Sequence, residues 1–300
     1  MTRAAVVGAA GFIGSHLCRY LQNRGADVLG IDRQEIAEKI GTAIRGEFPH
    51  PQVCEAIAAH RAQQIYLLAG TSSVAISLAD PVADLLGNAR DTLVFLEWMR
   101  QREIRSTIVF VSSAAVYGDP AALPATIATP VQPISPYGIS KLAGELYMRL
   151  YGRLHALDTR VVRPFSIYGP RLRKQVVWDI LVKLHQPEPD ALFGTGQETR
   201  DFVYVEDLCA ALVLVGEAGS PAGIYNVCSG QETSIATIAQ RLSAYTGRPP
   251  LAFTGKSRAG DPLRWRGDCA ELVDLDWHPS VSLDDGLRLT VDWFNAANAI

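Results

Sequence analysis

Ala4-Ala-Val-Val-Gly8-Ala-Ala-Gly11-Phe-Ile-Gly14-Ser-His-Leu17 passes from a short apolar run straight into three glycines spaced three apart. The run Ala4 to Val7 predicts a buried strand, and the glycines predict a turn that opens a helix. Gly8 permits a sharp bend, Gly11 lets the backbone approach a phosphate closely, and Gly14 lets the helix pack tightly against the strand. Unpaired N–H groups at the helix start, with the positive end of its dipole, then face an anion. A second strand, Asp27 to Ile31, ends at Asp32, eighteen residues past Gly14. A carboxylate at that distance meets the adenosine ribose hydroxyls in dinucleotide-binding units. A glycine triplet alone would say little; strand, turn, helix, strand and acid in this order predict a dinucleotide site.

Downstream the pattern alternates between strands and helices, the signature of a parallel sheet wrapped by helices. Thr42 to Phe48 reads as a weak third strand, Val53 to His60 as a helix, and Gln64 to Ala69 as a buried fourth strand followed by the small-residue loop Gly70 to Ser73. A long helix is predicted from Val82 to Gln101, with Leu85, Leu86, Leu93, Leu96 and Trp98 as core or partner-helix contacts and Asn88 inside it. Ser106 to Val111 is the next strand, ending at Ser112 and Ser113. Ser135-Pro136 then supplies N-cap and first-turn chemistry for a helix carrying Tyr137 and Lys141. Thr159 to Phe165 is a strand that delivers Ser166 to Arg171 into a loop. The expected fold is α/β: a Rossmann-type doubly wound parallel sheet, with a smaller, interleaved C-terminal substrate-binding α/β region. Residues 1–165 are assigned to dinucleotide binding and 166–300 to substrate binding, with segments of the two interleaved.

The 300-residue chain has a net charge of -3, is 48% hydrophobic and 20% charged, and so reads as an ordinary globular protein with no general attraction to nucleic acid or anionic membrane. Anion binding must therefore come from local arginines. No apolar run approaches the length of a membrane span. The five cysteines, Cys18, Cys54, Cys209, Cys228 and Cys269, are scattered, without a CxxC pair or histidines at ligand spacing, which favours reduced thiols, a cytoplasmic setting and no metal site.

Tyr137 and Lys141 stand four apart at a helix start and share one face. A phenol with a pKa near ~10 is a poor base at neutral pH. A neighbouring ammonium stabilises the phenolate, as would a positively charged nicotinamide ring. Tyr137 thereby becomes a usable acid or base for a hydroxyl turning into a carbonyl, and Ser113, at the preceding strand end, can hydrogen-bond the same oxygen. Asp32 repels a 2'-phosphate and accepts from free ribose hydroxyls, which favours NAD; the adjacent Arg33 is the feature that would suit NADP.

With these residues in place the chain resembles the extended short-chain dehydrogenases/reductases, in the branch called NAD-dependent epimerase/dehydratase, which acts mostly on nucleotide-linked sugars. The matching segments are Gly8-Ala-Ala-Gly11-Phe-Ile-Gly14, Leu68-Ala69-Gly70, Asn88 in its helix, Val111-Ser-Ser-Ala-Ala-Val-Tyr-Gly118, Tyr137-Gly-Ile-Ser-Lys141, Arg163-Pro-Phe-Ser-Ile-Tyr-Gly-Pro170 and Arg200-Asp-Phe-Val-Tyr-Val-Glu-Asp207. The resemblance implies a catalytic set of Ser113, Tyr137 and Lys141, with Lys141 also touching the nicotinamide ribose. It implies that Phe12 and Ile13 cover the pyrophosphate, that Glu47 and Phe48 sit by the adenine, and that Pro164 borders the nicotinamide. Leu68, Ala69, Gly70, Asn88 and Ser112 complete the implied cofactor surface. Arg200 matches an arginine that binds the sugar nucleotide's diphosphate and Arg258 a second; two guanidiniums can grip phosphate oxygens through paired hydrogen bonds. A homodimer through the helices near Asn88 and Tyr137 is also implied.

Departures from the family pattern narrow the reaction. Dehydratases usually carry an acidic pair right after the catalytic serine or threonine, and here those positions are Ala114 and Ala115. Ser166 stands where many relatives hold a substrate-binding asparagine, and Glu47 where aspartate is usual. The expectation is a nucleoside-diphosphate-sugar 4-epimerase with tightly held NAD. The alternatives, in falling order, are an NAD(P)H-dependent reductase of an NDP-4-keto-6-deoxy sugar, a dehydratase, and a non-catalytic dinucleotide sensor.

Overall fold

The apolar run at the start becomes β1 (Arg3–Val7), followed by α1 (Phe12–Asn23), β2 (Asp27–Asp32), β3 (Thr42–Arg45), α2 (Pro51–His60) and β4 (Gln64–Leu67). The computed structural model describes residues 1–37, 40–256 and 260–298. Then come α3 (Val74–Ala79), α4 (Pro81–Leu85), α5 (Asp91–Gln101), β5 (Thr107–Val111), α6 (Pro136–His155), β6 (Thr159–Pro164) and β7 (Ser166–Tyr168). The last part comprises α7 (Gln175–Leu184), β8 (Thr199–Arg200), β9 (Phe202–Tyr204), α8 (Val205–Ala218), β10 (Ile224–Val227), β11 (Thr233–Ser234), α9 (Ile235–Thr246), α10 (Ala270–Val273) and α11 (Leu283–Asn298).

Seven strands form one sheet in the order β10-β6-β5-β4-β1-β2-β3, and every neighbouring pair is parallel. Alternate residues of β1 serve opposite faces, as the two-residue strand period requires. Ala4 and Val6 pack with Leu17 and Cys18 of α1 and with Leu208 and Leu212 of α8, while Ala5 and Val7 pack with Ile57 of α2, Phe95 of α5 and Met148 of α6. Both faces are covered, which is why these strands are uniformly apolar. The fold is therefore the expected doubly wound Rossmann-type sheet. Strand order reverses between β1 and β4, and such a switch point opens a crevice at the carboxyl ends of the strands.

The chain leaves the sheet after β6 and returns to it as β10. Between and beyond lie the parallel pair β7–β9, the antiparallel pair β8–β11, and a separate core of Ile180, Leu181, Ile238, Leu242, Leu287 and Phe294. Two local expectations change. Ser166 to Tyr168 is a strand rather than loop, because it pairs with Phe202–Tyr204, and the Ser166 amide donates to the Asp201 carbonyl at 2.9 Å. The helix predicted over 82–101 is interrupted: α4 runs into a π-helical turn, Leu86–Arg90, before α5 begins.

Candidate active site

At the switch point the glycine turn is held by hydrogen bonds from the Gly8 and Ala9 amides to the Ile31 carbonyl, 2.8 and 3.1 Å. Gly8 has φ +94°, and a Cβ there would stand 2.9 Å from the Ala69 amide nitrogen. A Cβ on Gly14 would collide with the Gly8 carbonyl oxygen. Gly11 caps α1 without a side-chain hydrogen bond to the first-turn amides. This backbone cradle can hold a diphosphate. Phe12 flanks it, edge-on to His16 with ring centres 5.5 Å apart, and Ile13 packs towards the core. The Asp32 carboxylate accepts from the Ala10 amide at 3.0 Å and the Gln34 amide at 2.9 Å, so it closes the turn from the end of β2. Arg33 is exposed, and its carbonyl accepts from the Arg45 guanidinium at 3.2 Å.

A cavity of about 410 Å³ lies against the turn, lined by residues 9–12 on one side and by Arg171, Arg173 and Trp293 on another. The sequence reading passed over both arginines. The Arg173 guanidinium lies 5.9 Å from the Trp293 ring centre and 6.0 Å from that of Trp178, held at the cavity rim by two indole faces. Glu47 lines a neighbouring cavity of about 270 Å³ with Ile44, Gly46 and His50. Phe48, beside Glu47, is half-buried and lies 5.0 Å from the Phe95 ring.

Leu68, Ala69 and Gly70 leave β4 across the crevice from the turn. The Leu68 amide donates to the Val7 carbonyl at 2.9 Å, and Gly70, at φ +127°, leaves the space in which the Asn88 amide oxygen sits. Asn88 is fully buried by the π-helical turn, a distortion that commonly serves functional sites. Its Nδ2 donates to Thr71 Oγ1 at 2.9 Å, Asp84 Oδ1 at 3.2 Å and Ser140 Oγ at 3.2 Å, while its Oδ1 is buried without a partner.

Ser113 lies two residues past β5 and caps a tight turn over Ala114–Tyr117, its Oγ accepting from the Ala115 amide at 3.1 Å. Ser112 points the other way and donates to Glu145 at 2.5 Å. Ser135 caps α6 by accepting from the Gly138 amide at 3.2 Å, with Pro136 in the first turn. A Cβ on Gly138 would lie 2.6 Å from the Ala115 carbonyl oxygen, so glycine lets the start of α6 close on the Ser113 turn. Tyr137 thereby reaches a side-chain hydrogen bond with Ser113. One turn on, Lys141 Nζ donates to the Val111 carbonyl at 3.0 Å and lies 5.1 Å from the Phe110 ring centre.

Burial dominates both ionisable groups. Desolvation pushes Tyr137 up to about 12 despite the Ser113 hydrogen bond, with the Asp84 charge adding to the rise. Desolvation pulls Lys141 down to about 8, opposed by the charges of Asp84 and Glu145. The lysine thus titrates before the tyrosine, and the protein alone does not sustain an ammonium–phenolate pair. A further positive charge in the crevice is needed to make Tyr137 a base near neutrality.

Ala114 and Ala115 are buried, which leaves an acidic pair at those positions no water to face. Pro164 ends β6 beside Val227 of β10, and Ser166 opens β7, half-buried. Arg200 lies with its guanidinium 5.5 Å from the Trp265 ring centre and donates to the Thr199 carbonyl at 2.8 Å. Trp265 packs edge-on to Phe165 and donates to the Gly118 carbonyl at 2.9 Å, whereas Trp277 is core and Trp293 belongs to the third core. Arg258 lies outside the described residues. The sequence reading missed the buried scaffold beneath: Arg163 grips Glu145 with two hydrogen bonds, 2.9 and 2.6 Å, and donates to Tyr117, which donates to Asn226 at 2.7 Å.

Among the described residues no helix is long and apolar enough to cross a membrane, and no group of three or more His, Cys, Asp or Glu could hold a metal ion. The chain is 34% identical to a UDP-glucose 4-epimerase of Mycolicibacterium smegmatis over 310 residues, covering 97% of this chain and 98% of that one. Its fold matches the crystal structure of UDP-glucose 4-epimerase with UDP-glucose from Thermotoga maritima at TM-score 0.92 and 29% identity, covering 99% of both chains. The UDP-glucose 4-epimerase of Thermus thermophilus in complex with NAD matches at TM-score 0.90 and 30% identity, over 99% of this chain and all of the other. Residues 4–228 match the family model, and with the glycine turn, the Ser113–Tyr137–Lys141 group and the doubly wound sheet in place the chain belongs to the NAD dependent epimerase/dehydratase family.

Proposed function

We propose that this protein is an NAD-dependent nucleoside-diphosphate-sugar 4-epimerase. The observation that carries the reading is the grouping of Ser113, Tyr137 and Lys141 at the carboxyl edge of β5, across the crevice from the glycine turn, with buried alanines at 114 and 115. Its likeness to epimerases named for UDP-glucose, one of them holding NAD, supports it.

Bound NAD would supply the hydride acceptor and donor for sugar C4, which lets the C4 configuration invert without net use of cofactor. Tyr137 Oη accepts the proton of the C4 hydroxyl and later gives it back, while Ser113 Oγ hydrogen-bonds the same oxygen. Lys141, an ammonium below about pH 8, favours the ionised Tyr137 and reaches towards the nicotinamide ribose. Gly8, Gly11, Phe12, Ile13 and Gly14 hold the dinucleotide's phosphates, and Asp32 takes the adenosine ribose hydroxyls, which selects NAD over NADP. Glu47 and Phe48 border the adenine. Leu68 to Gly70, Asn88, the Ser112 main chain and Pro164 line the rest of the cofactor's path. Ser166 contacts the sugar, and Arg200 and Arg258 bind its diphosphate. In this reading residues 1–165 hold the dinucleotide and 166–300 the sugar nucleotide, with interleaved segments. A cytoplasmic setting suits five cysteines that are not joined in disulfides.

The functional unit is a homodimer. Val82, Leu85, Leu86 and Val94 on one side and Ile139, Leu146, Leu150 and Leu154 on α6 are exposed apolar residues at helical spacing, on neighbouring helices, and a second copy would cover them.

The test is incubation of the purified protein, without added cofactor, with a panel of UDP-, dTDP-, GDP- and CDP-sugars, with products separated chromatographically. Interconversion of a pair of 4-epimers is expected. Turnover of keto sugars only, and only with NADH or NADPH, would replace the epimerase reading with that of a reductase.

A further inference from the structure

Asp84 is fully buried on α4, and its carboxylate accepts from hydroxyl and amide donors of three other segments. Thr71 Oγ1 and Asn88 Nδ2 donate to Oδ1, the latter at 3.2 Å, and Ser140 Oγ donates to Oδ2 at 2.5 Å. Thr71 belongs to the loop after β4, one residue past Gly70. Ser140 lies on α6 between Tyr137 and Lys141, and its hydroxyl is also 3.0 Å from the Tyr137 carbonyl. The carboxylate therefore ties the cofactor-side loop, the π-helical turn and the helix carrying both catalytic groups into one cluster. An unpaired charge in such a place is costly unless a cation answers it.

The groups facing Lys141 show which cation that is. From β5 come the Val111 carbonyl and the Phe110 ring, from α6 itself the charge of Glu145, and from α4 that of Asp84. Glu145 is already answered by the two hydrogen bonds of Arg163 from β6. Among the described residues Asp84 accepts from hydroxyl and amide donors, and of the two carboxylates it has the larger effect on Lys141.

We propose that Asp84 is a positioning residue of the catalytic site, the buried counter-charge that keeps Lys141 an ammonium while its two oxygens lock the Thr71 loop to the Tyr137–Lys141 helix. The proposal rests on the epimerase reading for what the ammonium is for, and not for its existence. Asp84 also disfavours ionised Tyr137, so its net benefit is exerted through Lys141.

The test follows the Lys141 side chain by NMR of ¹³Cε-lysine-labelled protein, assigned with Lys141→Arg, across a pH titration of wild type, Asp84→Asn and Ser140→Ala. Wild type is expected to carry a charged Lys141 at neutral pH. In Asp84→Asn, which keeps the shape and removes the charge, the midpoint falls by about one unit or more, a tenfold or greater loss of proton affinity. Ser140→Ala, which removes one hydrogen bond and keeps the charge, moves it by less. A neutral Lys141 in wild type at pH 7 overturns the proposal even if Asp84→Asn does not fold, and so does an unmoved midpoint in a folded Asp84→Asn. If the midpoint moves while no sugar nucleotide is turned over by wild type, the charge pair stands and the epimerase reading fails.

Discussion

Tyr137 is a phenol with the wrong acidity for its proposed task until positive charge joins it. With its pKa raised to about 12 by burial, the group is protonated across the neutral range, and oxidised cofactor supplies the missing charge. Two outcomes follow at this scale. Tyr137→Phe lowers kcat by about 10²-fold or more with little change in sugar-nucleotide affinity, measured by steady-state turnover and by equilibrium binding. In a protein labelled at tyrosine ¹³Cζ, Tyr137 gives no phenolate signal near pH 8 without cofactor, and its midpoint moves to lower pH when NAD⁺ is bound but not when NADH is. The pair Tyr137 and Lys141 was legible in the sequence because a four-residue spacing on a helix states a shared face. Their charges were not legible. Those depend on how much water the fold removes and on Asp84, which the helical pattern of 82–101 had no means of separating from the leucines around it.

The elements show a similar division. The glycine turn could be read because each glycine answers a local steric demand, seen in the Cβ positions that would strike Ala69 from Gly8 and the Gly8 carbonyl from Gly14. Gly14→Ala is accordingly expected to separate α1 from β1 and to abolish cofactor retention, seen as protein purified without bound dinucleotide. β7 could not be read, because Ser166–Tyr168 becomes a strand only through Phe202–Tyr204, more than thirty residues away in sequence. The π-helical turn was equally hidden, since the few apolar residues on either side of it do not report a one-residue insertion between them. α6 is stitched to the sheet by the buried Glu145–Arg163 pair and the Ser112 hydrogen bond. Removing one member of such a pair strands the other in the core. Glu145→Ala is expected to destabilise the fold by about 3–5 kcal/mol, measured as a lowered denaturant midpoint at an unchanged slope.

For the whole molecule, one strand order accounts for the placement of both ligands. β1 stands where the order reverses, so the dinucleotide turn opens at the crevice between β1 and β4, and β5 ends next to it with Ser113. The chain then leaves the sheet after β6 and brings Ser166 and Arg200 forward before β10 closes the edge. The exposed leucines of α6, with Leu154 at 65% and Leu146 at 55% exposure, sit on the far side of the helix that carries the catalytic pair. Replacing Leu146 and Leu150 together with Asp is expected to convert a dimer into a monomer in sedimentation; a wild-type protein that sediments only as a monomer would contradict the dimer.

The central claim is that the sugar is oxidised at C4 and reduced again within one site. Its most direct test is single-turnover conversion of a nucleotide sugar deuterated at C4, by protein purified without added cofactor. Conversion slower than that of the protiated sugar, with the deuterium retained at C4 of the epimer, is the predicted result. Equal rates for the two sugars, or deuterium lost to water, would contradict it.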